Sequence, residues 1–270
     1  MPHPIQAPPG PRTTVAPLQS GAELPWQSPL EWDDGGLNLN ENPQDGENGH
    51  AWEQLQPHGI YARFGRPILN TLLILVSLPV VVAVTLPLFL INAIRFRSFR
   101  RAIFVQDRIG YRTRPFKLYK LRTMDDSHGT EYEAWQKGDE GRVPPFGQFL
   151  RQTHLDELPQ MLNILQGNMT FIGPRPEMKE THSFACKHVP HFARRNALLP
   201  GITGLAQITT GYAGNDALMY QRKFEQDEAY RREYSLSDDL RILLRTPLWM
   251  VRMRGWRSQT ASAPAPTHET

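Results

Sequence analysis

The net charge of +3 on this 270-residue chain hides an uneven split: residues 1–58 carry −7, with eight acidic residues against Arg12 alone, and residues 59–270 carry +10. A single cysteine, Cys186, excludes an intramolecular disulfide framework and fits a reducing compartment. The length allows one ordinary domain with appendages, or two small domains, and the basic body suits an anionic partner.

Residues 1–58 hold ten of the 24 prolines together with many Gly, Asn and Gln. Such a composition offers too little apolar surface to offset the entropy of ordering, so a disordered acidic tail is expected. The tail has no basic n-region followed by an apolar run and does not read as a secretory signal. Residues 68–94 then run for 27 positions without a charge, more than the roughly 20 that a helix needs to cross a bilayer. Arg63 and Arg66 precede this segment, and Arg95, Arg97, Arg100 and Arg101 follow it. A simple spanning helix shows its basic excess on one side, so basic flanks at both ends place both ends on the cytoplasmic face. Pro79 and Pro87 each remove a helix hydrogen bond and favour a kink. A spanning helix with two tolerated prolines is the plainer reading. Either way, the apolar segment selects a membrane surface over nucleic acid as the partner of the basic body.

Residues 103–124 read as an extended, hairpin-like stretch with Gly110 at a turn and Pro115 closing it. Its basic residues, Arg108, Arg112, Arg114, Lys117, Lys120 and Arg122, would sit near the bilayer. Residues 125–149 are polar and rich in Gly and Pro, the composition of a mobile loop around a short helix, which serves either as a functional cover or as a plain connection. His128, His154, His182, His188 and His191 are too scattered for a zinc spacing.

Residues 151–177, RQTHLDELPQMLNILQGNMTFIGPRPE, carry the chemistry. Pro159 is tolerated in the first turn of a helix, and Leu158, Met161, Leu162 and Leu165 recur at helical spacing. Asp156 and Glu157 are therefore expected at the positive end of an amphipathic helix, a natural phosphate site. The bland alternative is capping: Thr153-His154-Leu155-Asp156 has capping-box spacing, and Asp156 is of N-cap type. Against a mere cap stand Arg151 and Arg175, the latter in the stiff Gly173-Pro174-Arg175-Pro176 turn, because guanidinium forks match phosphate oxygens.

Downstream, residues 179–195 read as a helical, basic surface element. Pro200-Gly201-Ile202-Thr203-Gly204-Leu205-Ala206-Gln207 reads as a turn and short strand. Residues 223–234 form a charged helical run of the kind that usually faces solvent. Residues 240–257 mix arginines with apolar residues and with Trp249 and Trp256, as a helix lying in the membrane interface does. Residues 258–270 are a small-residue and proline tail.

Taken together and in this order across about residues 60–255, the apolar segment, IFVQDRIGYRTRPFKLYKLRTM, the Asp-Glu stretch, PGITGLAQI and KFEQDEAY resemble the bacterial sugar transferases, the monotopic phosphoglycosyl transferases. The resemblance implies an α+β, mostly helical fold. A compact cytosolic catalytic domain, residues 103–257, would sit on a re-entrant membrane helix within residues 59–102, with interfacial amphipathic helices and disordered tails at 1–58 and 258–270. In the family a Ser-Pro pair breaks the re-entrant helix. Ser77-Leu78-Pro79 and Thr85-Leu86-Pro87 both approach that pattern, so Pro79 and Pro87 are the candidate kinks.

The implied activity is transfer of a sugar 1-phosphate from a UDP-sugar to a polyprenol phosphate of the undecaprenyl type, with release of UMP. Asp156 would be the nucleophile, and Glu157 a Mg²⁺ ligand or a general base. Lys120 and Arg122 match the family's K-[FL]-R-[ST]-M element as active-site cations. Arg151 and Arg175 would bind phosphate or nucleotide, and Gln207 lies in a signature tied to substrate binding. Lys223, Phe224, Asp227 and Tyr230 match K-[FL]-x-x-D-x-x-Y. After Gln207 the chain has Ile208-Thr209-Thr210-Gly211-Tyr212 where the family often has Val-Asn-Gly-Arg, which leaves the sugar open. Expected partners are the UDP-sugar, the polyprenol phosphate and membrane lipids; no nucleic acid is expected, and a homodimer is allowed. The expected location is the cytoplasmic face of the bacterial inner membrane. The competing class is a non-catalytic lipid-phosphate-binding or scaffolding protein of the same fold. Glycoside hydrolysis is set aside, since adjacent carboxylates do not flank a glycosidic bond from two sides.

Overall fold

A computed structural model of the chain describes residues 52–125, 143–210 and 216–251. Helices dominate, and the strands form two two-stranded sheets, in keeping with a mostly helical α+β fold. A π-helical turn, Tyr61–Gly65, leads into the long helix α1, Arg66–Arg95. The short α2, Phe99–Ala102, is capped by the Ser98 side chain and feeds the antiparallel hairpin of β1, Ile103–Ile109, and β2, Pro115–Leu121. The hairpin expected in residues 103–124 is therefore present. Its turn is made by Gly110 with Arg112 and Thr113 at positive φ, and Pro115 opens β2, where a missing N–H is tolerated.

Helix α1 carries an inward face along its whole length, about 45 Å at 1.5 Å per residue. Near its start, buried Arg66 pairs with Asp239, donates to Tyr230 Oη at 2.6 Å and also reaches the Ile172 carbonyl. One turn on, Asn70 Oδ1 accepts from Thr170 Oγ1 at 2.7 Å and from the Phe171 N–H at 3.2 Å. Ile74, Leu78 and Val81 pack against Leu118, Met161, Ile164 and Met169. Near the end, buried Asn92 donates to the carbonyls of Arg122, at 2.9 Å, and Ala102, at 3.3 Å. The opposite face exposes Ile68, Leu72, Leu75, Val76, Val80, Leu86, Leu90 and Ile94. The helix runs without interruption through Pro79 and Pro87, both of which lie on this exposed face. Where the resemblance implies a broken segment, the structure shows one continuous helix, with each proline's missing hydrogen bond on the side away from the body.

The stretch that carries the two adjacent carboxylates begins with α3, Pro145–Gln152, then a 3₁₀ turn, Leu155–Gln160, and the short α4, Met161–Leu165. Strand β3, Thr170–Ile172, pairs in parallel with β4, Gly201–Thr203. Between them lie α5, Lys179–His188, and a 3₁₀ turn, Phe192–Ala197. After β4 come α6, Leu205–Thr209, α7, Ala217–Glu233, and α8, Leu236–Val251. Buried Ile172, Leu198, Tyr230 and Ile242 tie β3, β4's approach, α7 and α8 into one core, and Ala185, Cys186, Val189, Phe192 and Tyr220 form another.

Three expectations need correction. Residues 52–58, which composition groups with the tail, dock on the body: Trp52 is 1% exposed against Ala197, Gln56 Nε2 donates to the Ala197 carbonyl at 2.6 Å, and Arg231 Nη1 donates to that of Leu55 at 2.8 Å. One large aromatic ring anchors a segment whose average composition is polar; residues 1–51 lie outside the described residues. The charged run at 223–234 is not a solvated face, since Lys223, Asp227 and Tyr230 are buried on one side of α7. Nor do the apolar residues after Pro159 form one buried stripe: Met161 and Ile164 are buried, whereas Leu162 and Leu165 are exposed, because a 3₁₀ turn precedes only one turn of α-helix. On α8, by contrast, Leu236, Leu240, Leu244 and Leu248 form an exposed apolar stripe opposite buried Asp239 and Ile242. Residues 126–142, most of the expected loop, and residues 252–257 lie outside the described residues.

Candidate active site

The 3₁₀ turn Leu155–Gln160 presents the two carboxylates, and its start fixes how. His154 takes a left-handed backbone, φ 56°, and no side chain caps the turn. The capping alternative is thereby removed: Thr153 Oγ1 donates instead to the Phe149 carbonyl at 2.7 Å, closing α3 behind it. Asp156 and Glu157 consequently meet different surroundings.

Glu157 is held by two cations. Lys120 Nζ, from β2, stands 2.8 Å from its Oε1, while Arg175 places Nη2 2.6 Å from Oε1 and Nη1 3.3 Å from Oε2. Burial opposes ionisation of Glu157, but Arg175 and Lys120 outweigh it and hold the carboxyl well below the usual range. Asp156, 8% exposed, has no hydrogen-bond partner for its carboxylate among the described residues. Burial pushes it up to about 6, with Glu157 adding to the rise and Lys120, Arg151 and Arg175 opposing it. The positive end of a helix, where the sequence places Asp156, would favour the ionised form, but desolvation is the larger effect here.

Arg151, at the end of α3, donates from Nε to Thr123 Oγ1 at 2.9 Å and so is braced against the end of β2. Asp156, Glu157, Lys120, Arg151 and Arg175 thus come together: three cations around two carboxylates, a net charge of +1 when both acids are ionised. Such a group suits an anionic ligand.

Arg122 and Gln207 have other neighbours. Arg122 donates from Nε to the Arg101 carbonyl at 2.7 Å and lies over the Phe96 ring, where α1 meets α2. Burial, helped by Arg101, lowers its pKa. Gln207 Nε2 donates to the Gly201 carbonyl at 3.3 Å and braces β4 from within. Pro79 and Pro87 lie on the exposed face of α1.

The Arg175 loop is clamped from behind. Gly201 N donates to the Pro174 carbonyl at 2.9 Å, and Gly173 N to that of Thr203 at 2.8 Å. The backbones are so close that a Cβ on Gly201 would stand 2.1 Å from Gly173 N, which is why the two glycine signatures belong together.

Sequence reasoning missed several residues around this site. Glu177 accepts from Lys223 Nζ at 2.5 Å, and Arg195 donates to Asp227 Oδ2 at 2.7 Å and to the Arg175 carbonyl at 2.9 Å. These pairs lie far apart in sequence, so only the family's spacing of Lys223 and Asp227 signalled them. His154 is half-buried with its ring 5.3 Å from that of Trp249 on α8, and burial lowers its pKa. Among the described residues, no three or more His, Cys, Asp or Glu side chains gather as a metal site.

The family model described as bacterial sugar transferase matches residues 61–253, which takes in α1, the carboxylate pair and α8. The chain belongs to the bacterial sugar transferase family. Among its relatives, a UDP-glucose:undecaprenyl-phosphate glucose-1-phosphate transferase of Caulobacter vibrioides is 35% identical over 196 residues, covering 71% of this chain and 73% of the relative. A UDP-N-acetylgalactosamine-undecaprenyl-phosphate N-acetylgalactosaminephosphotransferase of Aeromonas hydrophila is 38% identical over 176 residues, 63% of this chain and 41% of the relative. A UDP-glucose:undecaprenyl-phosphate glucose-1-phosphate transferase of Escherichia coli is 33% identical over 180 residues, 66% of this chain and 38% of the relative. The relatives' names differ in the sugar; of residues 208–212, where this chain departs from the family pattern, Gly211 and Tyr212 lie outside the described residues.

Proposed function

We propose that this family member is a phosphoglycosyl transferase that moves a sugar 1-phosphate from a UDP-sugar to an undecaprenyl-type polyprenol phosphate, at the cytoplasmic face of the inner membrane, as a first membrane step in polysaccharide or glycoconjugate synthesis. The observation that carries the chemistry is the contrast within the carboxylate pair: Glu157 is bound by Arg175 and Lys120, while the buried Asp156 carboxylate has no hydrogen-bond partner among the described residues and lies near three cations.

In this reading an Asp156 Oδ atom attacks the phosphorus that bears the sugar. The bond from that phosphorus to the bridging oxygen breaks, and the bridging oxygen leaves on UMP. The sugar phosphate is then an acyl phosphate on Asp156. A phosphate oxygen of the polyprenol phosphate attacks the same phosphorus and returns Asp156 as a carboxylate. Arg151, Arg175 and Lys120 take up charge on the equatorial and leaving oxygens.

The donor set suits Mg²⁺, since this ion is commonly held by one or two carboxylates with substrate phosphates completing its shell. Glu157, with Asp156 beside it, would hold the ion, which would supply charge neutralisation for the diphosphate. One of the cations now on Glu157 would then shift onto phosphate.

The re-entrant placement of α1 is supported by its tethers: Arg66 at one end and Asn92 at the other bond to the same body, while the face between them turned away from that body is apolar.

A panel of UDP-sugars with polyprenol phosphate and Mg²⁺, read by UMP release, tests the activity. Intact-protein mass spectrometry before lipid is added tests the intermediate. A phosphosugar adduct is expected on the natural protein and absent from Asp156→Asn; adduct and turnover that survive in Asp156→Asn would overturn the assignment of the nucleophile.

A further inference from the structure

We propose that Arg195 is a positioning residue that sets the Arg175 guanidinium against Glu157 by gripping the Arg175 backbone from inside the core. This rests on the reading of the site given above and adds to it a part that never touches substrate.

Arg195 is 1% exposed. A guanidinium so buried is costly unless its donors and charge are matched. Its Nε donates to Asp227 Oδ2 at 2.7 Å, its Nη1 donates to the Arg175 carbonyl at 2.9 Å, and the same Nη1 lies 3.7 Å from Glu177 Oε1. Glu177 is in turn paired with Lys223 at 2.5 Å. Two cations and two carboxylates, all buried, close on one another as a neutral set.

The set holds the loop at two points, the carbonyl of residue 175 and the carboxylate of residue 177, with Pro176 fixed between them. The Ile109 N–H bonds the Glu177 carbonyl at 2.8 Å, and Arg108 Nη1 reaches that of Pro176 at 3.3 Å, so the hairpin secures the other side. With Pro174 tied to Gly201 as well, the backbone around Arg175 is fixed, and its guanidinium is directed at Glu157. Fastening α7 to the core would account for the Asp227 and Lys223 pairs, but it does not require a bond to the Arg175 carbonyl. One planar fork serving a carboxylate and that carbonyl at once is a task for arginine and not for lysine.

The test uses the full chain in detergent micelles. Arg195→Lys keeps a cation beside Asp227 but cannot span to the Arg175 carbonyl. Amide hydrogen exchange in residues 173–178 should quicken at least tenfold, while exchange in α1 stays unchanged. In the kinetic arm, Arg195→Lys should raise the UDP-sugar KM about tenfold with a smaller fall in kcat, and it should change nothing further in an Arg175→Met background. Equal losses in both backgrounds, or unchanged exchange in residues 173–178, would overturn the proposal. Should Arg195→Lys fail to accumulate as folded protein, Asp227→Asn, which loosens the fork from its other side, is held to the same pattern. A natural protein that releases no UMP from any UDP-sugar would defeat the functional reading alone, because the exchange arm still decides whether Arg195 fixes the loop.

Discussion

Arg175 meets Glu157 with both arms of its guanidinium, at 2.6 and 3.3 Å, and this grip separates the fates of two neighbouring carboxylates. Glu157 is kept ionised by its partners, whereas burial lifts Asp156 to about 6. In the proposed reaction the two acids have different work, Glu157 anchoring cations and poorly solvated Asp156 attacking the phosphorus.

The two acids should therefore answer amide substitution with opposite signs. Asp156 has a raised folded-state pKa, so its favourable contribution is complete below about pH 4 and is lost as pH rises through about 6. Asp156→Asn should be neutral near pH 4 and stabilising at pH 8, by at most roughly 3 kcal/mol. Glu157 has a lowered pKa, so its contribution is present above its ordinary value and is lost on acidification. Glu157→Gln should cost about 1–3 kcal/mol at pH 8, because Lys120 and Arg175 lose a charged partner. Thermal melts of both variants at the two pH values check this, and destabilisation by Asp156→Asn at pH 8 would contradict it.

Turnover should carry the same signature. If ionised Asp156 attacks, kcat/KM for UMP release rises with pH through about 6 in the substrate-free enzyme. Lys120 is the largest influence opposing that rise in pKa. Lys120→Met should then move the acid limb to higher pH as well as lowering the plateau. A limb that keeps its position in Lys120→Met would detach it from Asp156.

The boundary of the N-terminal tail is testable to within a few residues. Removing residues 1–51 should leave stability unchanged, whereas removing 1–58, or making Trp52→Ala, strips a ring buried against Ala197 and should cost roughly 2–4 kcal/mol. Denaturant midpoints of the three variants distinguish a docking segment from a tail that can be cut at residue 58 without loss.

How much of this the sequence could tell depended on distance along the chain. Arg151, Asp156 and Glu157 lie within one short stretch, and Arg175 follows in a rigid turn, so their meeting was legible; Lys120 joined them through a family motif. Arg122, two residues beyond Lys120 on an extended chain, was grouped with it by the same motif, yet its side chain serves the α1–α2 corner. Lys223 and Asp227 looked like a surface pair because a helical i, i+4 pair of charges is common on solvated faces. Their partners lie 46 and 32 residues away, and no local pattern announces such a buried set. Arg66, Asn70 and Asn92 were likewise hidden: one read as a basic flank and two as neutral filler in an apolar run, though all three dock α1 on the body.

That docking makes the topology of α1 the sharpest membrane prediction. A helix that crosses the bilayer must separate its ends by about 30 Å of hydrocarbon. In this fold Arg66 is bonded to Tyr230, Asp239 and Ile172, and Asn92 to Ala102 and Arg122, all in the body that carries the carboxylate pair. Single cysteines placed at Arg63 and Arg97, both exposed and just outside the tethers, should therefore be shielded alike from a membrane-impermeant reagent in intact cells and become reactive together in inverted vesicles. Arg66→Met should loosen only the first end, because it leaves buried Asp239 without its cation, and should quicken exchange at the start of α1 more than at Asn92. Labelling of one site from outside and the other from inside would require α1 to leave the body and would replace the re-entrant reading with a plain spanning helix.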